Sequence, residues 1–226
     1  MPSYAGEIIL KLREECFLDL GIDPALDREA ALEVSELAEK HGFRQILPDL
    51  WERGNAAIFG PAPYVVRDIS GYGLKIVADS GISRFLVMNS LPDVIVTDLD
   101  GPLQEILFCQ RNGSFLFVHV HGDNLEKVKS NMPLFGERTL FTCQSTETYD
   151  LFDFGGFTDG DRSAFIADHY RSESITIYGF RFDNPVPKPF GNQARKLKKL
   201  RWARRFLEEL AKQRNTSMLE GEVISL

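Results

Sequence analysis

Two aspartates, Asp98 and Asp100, close the stretch LPDVIVTDLDG that runs from Leu91 to Gly101. The β-branched run before them, bounded by Pro92 and Gly101, predicts a short strand covered on both faces. In an extended segment residues two apart point to one side. The two carboxylates are therefore expected together at the carboxyl end of that strand. Carboxylates this close repel, and a divalent cation beside them removes the repulsion. Mg²⁺ is the natural ion, because it takes one or two carboxylates together with substrate phosphate oxygens. A strand end with two solvated, turn-forming aspartates is the competing interpretation.

Other strand ends carry the same types of residue. Asp79-Ser80-Gly81 follows one apolar run, His119-Val120-His121-Gly122-Asp123-Asn124 ends a second, and Gln144 follows a third. His119, His121 and Asp123 have zinc-ligand chemistry, but three ligands from one strand end are cramped. Hydrogen bonding to phosphate or to metal-bound carboxylates suits them better. Farther along, LFDFGGFTDGDR reads as a flexible acidic loop. It could hold a metal, grip a cationic or amidine-like group, or be ordinary surface loop, and it lacks the spacing of an EF-hand. Arg195, Lys196, Lys198, Lys199, Arg201, Arg204 and Arg205 crowd the first half of a long helix expected over 193–213. They could bring cations to a triphosphate, or form a solvated basic face.

The elements that must position these groups alternate. Strands are expected over 56–59, 74–78, 93–97, 114–120, 139–143 and 174–178. Helices are expected over 82–88, 103–109, 124–130 and 163–170. Such alternation predicts an α/β protein with a doubly wound, mainly parallel sheet, whose strand ends meet at one edge. Residues 1–53 read as an N-terminal helical cap, and 54–226 as an α/β catalytic domain that includes the long C-terminal helix. In the cap, Ile8, Ile9, Leu12 and Cys16 form one stripe. A second helix starts with Asp23 as N-cap and Pro24 in the first position. It buries Leu26, Ala30, Val34, Leu37 and Ala38 and closes at Gly42. A third short helix is expected around Leu47, Leu50 and Trp51. The segment 184–189 reads as a stiff proline-rich connector, and 215–226 as a tail that is frayed or docks late.

Composition narrows the function. A net charge of -7 disfavours a nucleic-acid binder, which needs a basic surface. No apolar run reaches membrane-spanning length, and no signal peptide is indicated. Three cysteines without CxxC spacing fit a reducing, cytoplasmic setting. Walker A, protein-kinase and GxSxG motifs are missing. Carboxylates, Gly-rich turns and a few cations at one sheet edge suit phosphoryl or nucleotidyl transfer.

The runs VADSGISRF, PDVIVTDLDGP, HVHGDN and FGGFTDGDR, in this order, resemble the archaeal-type 6-hydroxymethyl-7,8-dihydropterin pyrophosphokinases. That family is similar in fold to the catalytic domain of thiamin pyrophosphokinases. The resemblance implies Mg-dependent transfer of diphosphate from ATP to the hydroxymethyl group of the pterin, with AMP released, in folate or methanopterin-type cofactor biosynthesis. It implies metal binding by Asp98 and Asp100, with Asp123 beside them, and Arg162 or a helix lysine such as Lys196 against the leaving phosphate. ATP is expected at Gly60, Asp79, Gly81, His121, Gly122, Asn124, Gln144, Gly155, Gly156 and Lys196. The pterin is expected at Thr158, Asp159 and Asp161. A homodimer is the assembly that the likeness to thiamin pyrophosphokinases implies. Two departures stand out: Ala62 replaces a glycine of the first turn, where a Cβ limits close backbone approach, and Asp153 stands where Asn is expected. The alternatives are thiamin pyrophosphokinase, a DxD-dependent glycosyltransferase, and a non-catalytic nucleotide-binding module.

Overall fold

Six short apolar runs pair as parallel strands, because their residues are buried on both faces and find partners only side by side. They are β1 (Ala56–Phe59), β2 (Leu74–Ala78), β3 (Val94–Thr97), β4 (Phe115–His119), β5 (Thr139–Thr142) and β6 (Ile175–Tyr178). The computed structural model describes residues 4–144, 151–184 and 192–226. Of the expected connector 184–189, residues 185–189 lie outside them. Sheet order is β5-β4-β3-β2-β1-β6, continued beyond β6 by the short strands β8 (Ile224–Ser225) and β7 (Leu219–Glu220). From β1 the chain therefore steps outward to β5 and then returns to the other side of β1 as β6. All carboxyl ends of the parallel strands lie on one edge, the usual place of a ligand in such sheets.

Helices cover both faces. On one lie α1 (Glu7–Leu20), α6 (Asp159–His169) and α7 (Gln193–Gln213), which share a core with Ile58, Ile76 and Val96. On the other lie α2 (Pro24–Lys40), α3 (Ile82–Leu86), α4 (Leu103–Arg111) and α5 (Leu125–Asn131), around Phe59, Val77 and Ile95. Local signals explain the helix ends. The Asp23 carboxylate accepts from Ala25 N at 2.9 Å, with Pro24 in the first turn. The Asn192 side chain accepts from Arg195 N at 2.9 Å at the start of α7. Gly21 ends α1 with φ 63°, and Gly42 follows α2 with φ 78°.

Four expectations are corrected. Residues 47–51 form no helix; Leu50 is buried within a turn closed by Leu50 N to Pro48 O. The acidic stretch at Asp159 is not loop: α6 begins there, four residues earlier than expected. The tail is not frayed. Residues Leu219–Glu220 (β7) and Ile224–Ser225 (β8) form an antiparallel hairpin that extends the sheet beside β6, and Ile224 and Leu226 are buried. Ile8 and Leu26 leave their stripes at 57% and 53% exposure. Leu26 faces the ligand edge instead.

Candidate active site

The carboxyl edge of the sheet opens into a cleft of about 480 Å³. Asp79, Asp98, Asp100, His119, His121, Asp123, Gln144, Asp159 and Arg162 line it, together with Arg181 and the α7 residues Arg195, Lys196 and Lys199. Ile22, Leu26, Phe157 and Leu200 give it apolar walls.

Three acids converge at its acidic pole. Ligand atoms of Asp79, Asp98 and Asp159 lie within 4.8 Å of one another. Each comes from a different segment: Asp79 from the end of β2, Asp98 from the end of β3, and Asp159 from the first turn of α6. Asp79 sits in a left-handed backbone conformation, φ 42°, which is uncommon outside glycine. Its Oδ1 accepts from Thr97 Oγ1 at 2.7 Å and from Gly101 N at 2.8 Å. Asp159 Oδ1 is buried without a hydrogen-bond partner among the described residues. Burial, and then the charges of Asp98 and Asp79, push the Asp159 carboxyl well above the ordinary range for an aspartate. Arg162, itself buried, stands 3.5 Å from Asp159 and only partly offsets this. A divalent cation fits such a site. It accepts hard oxygen ligands, and it supplies the positive charge that one guanidinium fails to provide.

The DxD pair does not behave as an extended segment. Leu99 turns left-handed at φ 68°, so the alternation that would align Asp98 with Asp100 is broken. Asp98 joins the acidic pole. Asp100 stands on the rim, 2.5 Å from Lys127 Nζ. Asp123 is also exposed at the rim, and its N–H donates to His121 Nδ1 at 3.2 Å. His121 Nε2 comes within 3.9 Å of Asp98 Oδ2.

Several expected contact residues shape the edge from within. Asn124 is 3% exposed; its amide donates to His119 O at 2.7 Å and to Asp98 O at 3.1 Å, joining the ends of β3 and β4. Asp161 is fully buried and accepts from Phe157 N at 2.6 Å, Thr158 N at 2.8 Å and the Thr158 hydroxyl. It thus completes the capping box of α6 and faces away from the cleft. Gly156, at φ 75°, passes so close to α6 that a Cβ would lie 2.7 Å from Arg162 N. Gly60 runs against the turn after β6, where a Cβ would meet Gly179 O at 2.5 Å. Gly81 and Gly155 are buried beside it and before α6, outside the cleft lining. Ala62 folds onto the same turn, its N donating to Gly179 O at 3.0 Å, and its methyl group is buried.

The N-terminal helices reach this edge too, which sequence reasoning missed. Arg13 makes a bidentate pair with Asp153, both contacts at 2.7 Å, and both side chains are buried. The acid at position 153 thus has its counter-ion on α1. Asp27, on α2, accepts from Gly122 N at 2.7 Å and from Gln144 Nε2 at 2.5 Å. A usable signal existed: Arg13 lies on the buried stripe of Ile9, Cys16 and Phe17, and Asp27 on that of Ala30, Ala31 and Val34. A charge on an apolar helix stripe implies a buried partner. The basic residues of α7 divide. Lys198 pairs with Asp19 at 2.8 Å, Arg205 with Glu15 at 3.0 Å and Arg204 with Glu220 at 2.7 Å, while Arg195, Lys196 and Lys199 face the cleft.

Among the described residues, no helix is long and apolar enough to cross a membrane. No family model matches the chain. Curated archaeal proteins named 6-hydroxymethyl-7,8-dihydropterin pyrophosphokinase do. The protein from Methanocaldococcus jannaschii is 34% identical over 186 residues, 75% of this chain and 77% of its own. That from Pyrococcus furiosus is 39% identical over 161 residues, 67% and 68% of the two chains. That from Methanothermobacter thermautotrophicus is 31% identical over 176 residues, 75% of each. With this identity, over this share of both chains, the protein belongs to the family of 6-hydroxymethyl-7,8-dihydropterin pyrophosphokinases, diphosphokinase transferases of pterin metabolism.

Proposed function

We propose that the protein transfers diphosphate from ATP to the hydroxymethyl group of 6-hydroxymethyl-7,8-dihydropterin and releases AMP. The observation that carries this reading is the mixed charge of the cleft: three convergent carboxylates and three helix cations line one cavity. That arrangement suits a polyphosphate that bridges a divalent cation on one side and protein cations on the other.

Asp79, Asp98 and Asp159 would hold Mg²⁺, and Asp159 is assigned to the cation rather than to the pterin. When bound, the ion neutralises charge on the phosphate oxygens. The chain's own residues supply the rest. Arg195, Lys196 and Lys199 orient the polyphosphate from the α7 side. Arg162, fixed by Phe157 O at 3.1 Å, presents a cation at the acidic pole. Ile22, Leu26 and Phe157 keep water from the reacting groups. Positioning and charge neutralisation are what this class of reaction demands of a protein. We place the enzyme in the cytoplasm, acting on these two small molecules. Incubation with ATP, Mg²⁺ and the hydroxymethyl-dihydropterin should yield AMP and the pterin diphosphate. ADP, or no turnover, would refute the reading.

A further inference from the structure

Two side chains in the cleft wall are buried and polar, and each carries an atom without a partner. His119 is 3% exposed and Gln144 9%. Both line the cleft, and among the described residues neither His119 Nε2 nor Gln144 Oε1 has a hydrogen-bond partner. A buried polar atom left unsatisfied bears the full desolvation penalty of its group. Two such atoms on one cavity wall point to a ligand that completes them.

The protein fixes what each atom offers. Gln144 Nε2 donates to Asp27 Oδ2 at 2.5 Å. A carboxylate only accepts, so the amide nitrogen must face Asp27 and the amide oxygen must face elsewhere. Asp27 is 5% exposed and is tied by Gly122 N at 2.7 Å, while Arg13 holds the Gln144 carbonyl at 3.0 Å. On the histidine, Nδ1 meets Thr142 Oγ1 at 3.1 Å. Gln144 stands beside the ring, close enough to raise its basicity though outside hydrogen-bonding geometry. With the Thr142 hydroxyl donating to Nδ1, the ring carries its proton on Nε2. The wall therefore presents an N–H donor next to a C=O acceptor.

We infer that His119 Nε2 and Gln144 Oε1 form a donor–acceptor pair that reads the edge of a heteroaromatic ring, one with an acceptor beside a donor. The inference rests on the proposed reaction. Adenine and pterin rings both carry such an edge, and kinetics separate them. Gln144→Met keeps the side chain's bulk and removes the acceptor. AMP release is measured while ATP and the pterin are varied in turn. No AMP from the wild-type enzyme would sink the reaction itself; calorimetric titration with ATP and with the pterin then makes the same comparison on Kd, so the two failures are distinct. In Gln144→Met the KM of one of the two substrates should rise at least tenfold, with a smaller change in kcat, because a site built to hydrogen-bond loses most when the match is broken. The substrate affected names the ring. Asp27→Asn combined with Gln144→Glu reverses donor and acceptor between the two side chains, keeps an acceptor for Gly122 N and restores an oxygen toward the cleft. It should recover most of the lost KM, whereas Gln144→Glu alone should be worse than Gln144→Met. Both KM values within twofold of wild type in Gln144→Met would overturn the inference, as would a double variant no better than Gln144→Met.

Discussion

Asp159→Asn keeps the side chain's shape and removes one charge from the acidic pole. Two unit charges 4.8 Å apart repel by about 3.5 kcal/mol at an effective dielectric of about 20, and Asp159 has two such neighbours. Because its carboxyl is raised, Asp159 can relieve that penalty in the metal-free protein by taking up a proton. Holding a carboxyl of ordinary value 3.8 protonated at pH 7 costs about 4 kcal/mol, and this smaller figure sets the ceiling. Metal-free Asp159→Asn should thus be more stable than wild type at pH 7, by up to about 4 kcal/mol. For a chain of this size each kcal/mol moves the melting temperature by about 2–4 °C. The sign with pH follows from a folded-state value raised above the unfolded one. The penalty is absent below pH 3.8 and grows as pH rises toward the folded-state value, so the gain should vanish in acid. Mg²⁺ should reverse the order, stabilising wild type and not the variant. Circular-dichroism melts in EDTA and in Mg²⁺, at acid and neutral pH, report all of this. A variant less stable than wild type in EDTA at pH 7 would refute the reasoning.

Two further outcomes are expected. Arg13→Met strands Asp153 as a buried charge and should cost about 3–5 kcal/mol in urea unfolding; a loss under about 1 kcal/mol would mean that water reaches the pair. His169 is packed among Tyr4, Trp51, Phe154 and Tyr170, and burial holds its pKa down to about 4. Folded protein therefore refuses a proton that the unfolded chain accepts, and stability should fall as pH drops from 6.5 toward 4. In His169→Phe this part of the slope should disappear, and an unchanged slope would contradict it.

The strands were legible because each is a short, largely apolar run with turn residues near its ends. β2 and α7 fall on the expected residues. Asp23-Pro24 and Gly42 marked the limits of α2 because capping chemistry is local. Less local features were hidden. The hairpin of β7 and β8 has only two residues per strand, too few for a periodic signal. Trp51 and Leu50 looked helical because a buried turn and a helix stripe share the same apolar spacing. At the site, Asp98 was legible from its strand, but the grouping was not. The left-handed turn at Leu99 moves Asp100 to the rim, and the crossing of α6 brings in Asp159 from some sixty residues away. Sequence spacing carries neither event. Asp161 lies two residues past Asp159 and looks equivalent to it, yet the capping geometry turns it inward.

Diphosphate transfer in this cleft depends on which acids hold the cation. Mn²⁺ binding, followed by electron paramagnetic resonance in the presence of a non-hydrolysable ATP analogue, tests this one residue at a time. Asp79→Asn, Asp98→Asn and Asp159→Asn should each weaken binding at least tenfold, and Asp100→Asn and Asp123→Asn by less than threefold. Strong loss at Asp100 and Asp123, with Asp79 and Asp159 indifferent, would contradict it.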